Sequence, residues 1–131
     1  MSYRIEPTDG HFAIRLQGEP ENCHALTMAP SDREEELNHG LWLVVVFAVW
    51  SGPDRKAIDT ALEIGHELGD KVQIGIRPFD RKEELQAWCP EGKIQWVSPI
   101  WLVLKDGKSV NEMFGSQSRQ KVFEAVVVHL R

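Results

Sequence analysis

The sequence contains few of the features that mark secreted, nucleic-acid-binding or membrane-spanning proteins. Its 131 residues include two cysteines, Cys23 and Cys89, which are too few for a secreted disulfide scaffold. The net charge of −5 is not the basic footprint that nucleic acids and acidic lipid surfaces attract. The longest apolar run, residues 41–50, is about half of what spans a bilayer, and no apolar signal segment stands near Met1. We therefore expect a cytoplasmic protein without nucleic-acid or membrane partners.

The sequence also lacks the patterns that predict a metal or nucleotide site. Its five histidines are scattered, and none stands at a metal-ligand spacing from another. A glycine-rich phosphate-binding motif is absent as well. We expect neither a metal ion nor a cofactor.

Hydrophobic periodicity predicts strands and helices in alternation. Two short alternating segments around Thr8–Gly10 predict an N-terminal hairpin, and the nearly continuous apolar run of residues 41–50 predicts a strand buried on both faces. The predicted order is hairpin, β, α, β, α, β, α, β, β, α. Besides the hairpin and the run at residues 41–50, the predicted strands lie near residues 23–29, 72–76, 100–104 and 110–114. The βαβ units imply parallel strands, and the final ββ pair implies an antiparallel edge. We expect an α/β fold in which helices flank one central mixed sheet.

Four features give the chain its resemblance to the thioredoxin family. An apolar strand ends in Phe47-Ala48-Val49-Trp50 and runs through Ser51-Gly52-Pro53-Asp54 into a long helix; Pro99 opens a late strand; Gly107 and Gly115 follow at intervals of eight residues. The resemblance covers residues 23–131 and implies a thioredoxin-like three-layer sandwich. Residues 1–22 then form an N-terminal extension, which is the predicted hairpin.

The chain departs from the family at the residues that carry the chemistry. Members have cysteines at the positions of Ser51 and Asp54, of which the first attacks a disulfide as a thiolate and the second resolves the mixed disulfide. A serine forms no stable disulfide and a carboxylate resolves none. Where typical members carry a buried acid that assists proton transfer, this chain has Val45. Disulfide oxidoreductase activity is therefore not expected, and we predict no catalytic residues.

Ser51-Gly52-Pro53-Asp54 has a structural interpretation of its own. Serine is a good N-cap, proline is tolerated in a first helical turn, and Asp54 would complete a capping box at the positive end of the helix dipole. Two chemical alternatives stay open: glutathione binding at the Ser51 turn, which the charge of Asp54 opposes, and single-thiol redox chemistry at Cys89. A free cysteine is more often a small apolar residue of the core.

The resemblance implies a peptide-binding groove beside this turn. In the family, the Trp50 position and a cis-proline loop line the groove, and the residue before the proline pairs with the peptide backbone as an added strand. Aromatic side chains are favoured at interface hot spots, which adds Trp96. The candidate groove residues are Trp50, Ser51, Gly52, Pro53, Asp54, Trp96, Ser98 and Pro99. We predict a redox-inactive protein that binds a protein or peptide partner, or itself; the alternative is a thiol-dependent enzyme.

Overall fold

The computed structural model describes residues 2–8, 11–17, 21–26, 33–48, 51–79 and 98–130. The strands are β1 (Ser2–Thr8), β2 (His11–Gln17), β3 (Cys23–Ala25), β4 (Leu41–Ala48), β5 (Gln73–Phe79), β6 (Ile100–Lys105) and β7 (Lys108–Phe114). The helices are α1 (Arg33–Glu36), α2 (Gly52–Leu68) and α3 (Arg119–Val127), and a short 3₁₀ turn follows α2 and another follows α3. The third helix of the predicted order would fall at residues 80–97, between β5 and β6, which lie outside the described residues.

A five-stranded mixed sheet forms the centre of the fold, in the order β3-β5-β4-β6-β7. β3, β5 and β4 run parallel, whereas β6 and β7 pair antiparallel with their neighbours. These directions confirm the parallel βαβ units and the antiparallel edge that the order of elements predicted. β4 is central, and residues 42–48 are all at most 2% exposed, as the continuous apolar run indicated.

The two faces of the sheet bury separate apolar clusters because successive strand residues point to opposite sides. Leu43, Val45 and Phe47 belong to one cluster, which α2 and α3 cover with residues such as Ile58 and Val122. The alternate residues of β4 belong to the other cluster, together with Leu26, Leu37, Ile100 and Leu102. The α/β expectation, a central mixed sheet with helices packed on it, is confirmed.

The N-terminal segment forms the predicted hairpin. β1 and β2 pair antiparallel, with Thr8 opposite His11 and Ser2 opposite Gln17. β2 lies against β3 and β5, which places the hairpin beside the parallel edge of the main sheet. The division of the chain into an extension at residues 1–22 and a domain at 23–131 stays a prediction.

Asn22 anchors this junction to the far end of α2. Its buried amide donates hydrogen bonds to the carbonyl oxygens of Gly65, Gly69 and Val72 at 3.0, 2.7 and 2.9 Å. The helix approaches so closely here that a Cβ at Gly65 would stand 2.9 Å from the Sγ of Cys23.

Among the described residues, no helix is both long and apolar enough to cross a bilayer.

We expect Asn22→Ala to lower the free energy of unfolding by about 2 kcal/mol, because it removes the side-chain donor that three carbonyl groups share at the end of α2. Asn111→Ala is the matched control, since Asn111 takes part in β7 through its backbone pairing with Val103 and its loss should cost less than about 0.5 kcal/mol. Urea denaturation of both variants measures the difference. Equal stabilities would contradict the anchoring role of Asn22.

Candidate functional site

The turn between β4 and α2 is a well-formed helix start. Ser51 has an extended backbone (φ −98°, ψ 117°), and its hydroxyl accepts a hydrogen bond from the backbone N–H of Asp54 at 3.3 Å. Its own backbone N–H donates to the carbonyl of Ala48 at 3.2 Å. Pro53 stands in the first helical turn, where its missing N–H costs nothing. The helix-cap interpretation of Ser51 is confirmed.

The carboxylate of Asp54 does more than a capping box requires. Asp54 is only 2% exposed. One of its oxygens accepts from the backbone N–H of Ala48 at 2.8 Å, and the other accepts from the hydroxyl of Ser51 at 3.1 Å. A capping box would have directed the carboxylate to the backbone N–H of Ser51, so that half of the prediction is wrong. The side chain instead reaches past the cap and ties the end of β4 to the first turn of α2.

This arrangement leaves the turn without the groups that disulfide exchange needs. The positions of the two family cysteines hold a hydroxyl and a carboxylate that bond to each other. Val45 is fully buried in the apolar cluster under α2, opposite Ile76 and Trp101 on the adjacent strands, and its side chain can neither accept nor release a proton. Cys23 packs near Gly65, about 20 Å along α2 from Ser51.

The loop before β6 faces this turn. The peptide bond between Ser98 and Pro99 is cis. The carbonyl of Pro99 accepts from the backbone N–H of Gly115 at 2.8 Å, and the indole N–H of Trp101 donates to the carbonyl of Gly115 at 3.0 Å. These bonds hold the segment after β7 against the proline loop.

A chamber of about 400 Å³ opens between α2, the proline loop and the segment after β7. It joins two of the predicted groove residues, since Pro53 forms part of one wall and Pro99 part of another. We call it the side chamber; its lining residues are Pro53, Lys56, Ala57, Thr60, Pro99, Trp101, Ser116 and Gln117.

The structure therefore brings part of the predicted groove together. Ser51, Gly52, Pro53 and Asp54 form one turn. Ser98 is half-buried and Pro99 buried. Trp50 and Trp96 lie outside the described residues, as does Cys89. That these residues bind a peptide stays a prediction.

Sequence reasoning missed the polar side chains of the chamber. Lys56 and Thr60 follow Pro53 at intervals of three and seven residues, so helical spacing alone could have placed them on its face. Ser116 and Gln117 carry no comparable signal, because their place in the chamber depends on the hydrogen bonds that join Gly115 to Pro99 and Trp101. In the described part of the chain, no three histidine, cysteine, aspartate or glutamate side chains are grouped as a metal site would need.

Proteins similar to this chain carry the name thioredoxin. Thioredoxin of Bacillus subtilis (strain 168) is 32% identical over 96 residues, which cover 72% of this chain and 88% of that protein. Thioredoxin of Listeria monocytogenes is 29% identical over 94 residues, which cover 71% and 86%. The X-ray structure of Fasciola hepatica thioredoxin matches with a TM-score of 0.60 and 24% identity, over 79% of this chain and 94% of that one, which is a likeness of fold. No family model matches the chain.

We expect Asp54→Ala to lower the free energy of unfolding by about 1–3 kcal/mol, because the buried N–H of Ala48 loses its acceptor. Asp59→Ala is the matched control on the same helix, since Asp59 is exposed and its loss should change the stability by less than about 0.5 kcal/mol. Thermal and urea denaturation measure both variants. A loss no larger in Asp54→Ala than in Asp59→Ala would show that the strand–helix tie is dispensable.

Proposed function

The chain belongs to the thioredoxin family, and on that premise we propose that it binds a partner polypeptide without exchanging disulfides. The partner is another protein, or a second copy of this chain, and we propose that binding takes place in the cytoplasm. The peptide would lie along Ser98 and Pro99, opposite Pro53. Residues 1–22 add a hairpin that the binding role does not require.

One observation carries this proposal: the hydrogen-bonded pair of Ser51 and Asp54. The two residues satisfy each other and the last backbone N–H of β4, so the turn is complete without sulfur. Disulfide exchange requires a thiolate that attacks and a second thiol that resolves the mixed disulfide. We therefore propose that the protein keeps the peptide-binding surface of the family groove and does not carry out this chemistry.

The thiol-dependent alternative has weaker support. The described thiol, Cys23, is partly buried near the far end of α2 from the turn, where it donates to the Oδ1 of Asn22 at 3.8 Å. A bound thiolate at Ser51 would also meet the negative charge of Asp54 in the same turn. Insulin reduction that disappears in Cys89→Ser, or saturable glutathione binding, would favour this alternative.

We expect the protein to enrich extended peptides from a random heptapeptide library, and Ser116→Tyr to reduce that binding at least tenfold. Ser116 is exposed and lines the side chamber, so a tyrosine ring there would occupy the space beside Pro99. Ser109→Tyr is the control, because Ser109 is an exposed residue of β7 near the opposite end of the sheet. Undiminished binding in Ser116→Tyr would remove the groove from the proposal.

A second test restores the missing chemistry. We expect the natural chain to be inactive in an insulin-reduction assay and the double variant Ser51→Cys/Asp54→Cys to gain measurable activity. The helix N-terminus stabilises a thiolate at position 51, and Pro99 provides the opposite side of the groove. The absence of an acid at Val45 should keep the rate low.

The single variant Ser51→Cys is the control, because it supplies the attacking thiol without the resolving one. Activity in the natural chain would contradict the redox-inactive assignment. A folded double variant that stays inactive even when Val45→Asp is added would show that the groove no longer admits a polypeptide.

A further inference from the structure

The side chamber has an apolar floor and a polar rim. Ala57, Pro99 and Trp101 are buried and form its apolar part. Thr60, Ser116 and Gln117 contribute hydroxyl and amide groups from two sides. Of the described residues that line the chamber, Lys56 is the one that carries a charge, and none is a carboxylate. The surface therefore suits an occupant with an apolar stem and an anionic end.

Among the described residues, Lys56 forms no ion pair with a carboxylate. The ion pairs seen there join Arg119 of α3 to Glu63 and Glu67, further along α2. Asp54 directly follows Pro53 of the chamber wall, but its carboxylate accepts from Ala48 and Ser51, and it is absent from the lining. A lysine that extends over a partly apolar cavity without an ion pair offers a favourable position to a negative group from outside.

The chamber opens beside the surface that a bound polypeptide would follow. Pro99 belongs to the lining, and Ser98 directly precedes it. In an extended segment, alternate side chains point towards the protein to which the segment is paired. A peptide aligned with Ser98 would therefore direct one of its side chains into the space between Pro53 and Ser116.

We infer that this side chain is a glutamate, so that the side chamber selects partner segments with an acidic residue at one position. The two methylene groups of glutamate would cover the floor formed by Pro99 and Trp101, and its carboxylate would meet the ammonium group of Lys56 at the rim. The hydroxyl groups of Thr60 and Ser116 supply further donors. The whole chain carries a net charge of −5, which repels anions on average. A preference for an acidic peptide would therefore come from the chamber itself and not from the overall charge. The inference rests on the proposed function, because it assumes that a polypeptide occupies the groove.

Three pools of synthetic heptapeptides test the inference. Their flanking positions are randomised among uncharged residues, and their central residue is glutamate, glutamine or lysine. Binding of each pool to the full-length protein is measured by equilibrium titration at low and high ionic strength. We expect the glutamate pool to bind about two- to fivefold more tightly than the glutamine pool, as for a partly exposed ion pair, and the preference to shrink as salt is added.

Substitutions at Lys56 assign the preference to the chamber. Lys56→Gln should remove it, and Lys56→Glu should reverse it in favour of the lysine pool. Lys71→Glu is the matched control, since Lys71 is exposed at the opposite end of α2 and its replacement changes the net charge equally. A preference that disappears equally in Lys71→Glu would reflect the overall charge and would overturn the inference.

The pools also separate this inference from the proposed function. If all three bind the natural chain equally and Ser116→Tyr abolishes the binding, the groove stands and the glutamate preference is wrong. If no pool binds at any ionic strength, the proposed function itself fails, and the inference fails with it.

Discussion

The hydrogen bond between the carboxylate of Asp54 and the backbone N–H of Ala48 is the constraint on which the site depends. It joins the last residue of the central strand to the first turn of α2 over 2.8 Å. The carboxylate is buried, so an unpaired state would be costly, and both of its oxygens have donors. The buried Asp54 carboxylate therefore fixes the residue at which α2 begins. The start of α2 in turn sets which face of the helix lies towards the proline loop.

From that start, the remainder of the site follows through packing. α2 places Ala57 and Ile58 in the cluster under β4, and the same helix presents Lys56 towards the side chamber. Sites in open α/β sheets form outside the carboxyl ends of the strands. In this chain, Ser51 lies just beyond the carboxyl end of β4. The opposite wall is held independently, by the bonds that connect Pro99, Gly115 and Trp101. The chamber is thus formed by two separately anchored walls.

Local sequence patterns predicted much of the fold, because they reflect interactions between residues that are close together along the chain. The apolar run in β4 predicted a strand buried on both faces, and Ser51 predicted the helix cap, since both properties depend on neighbours within a few residues. Asn22 gave no such signal. Its amide binds carbonyls 43 to 50 residues away, a contact that exists only once α2 and β5 have packed together. The Asp54 carboxylate differs from a capping box for another reason: its acceptor oxygen is directed to the N–H of Ala48, six residues back, by the angle at which β4 enters α2.

The sequence by itself determined the class of fold, the start of α2 and the absence of cysteine from the turn between β4 and α2, because each follows from residue type and spacing along the chain. It also placed Pro53 and Pro99 in one groove by resemblance. Only the tertiary structure decided that the Asp54 carboxylate ties strand to helix, and that Lys56 and Ser116 face one cavity across the proline loop. Lys56 and Ser116 are 60 residues apart in sequence, and although Asp54 and Ala48 are only six apart, their bond depends on how α2 packs against the end of β4. Residue spacing along the chain does not specify that packing.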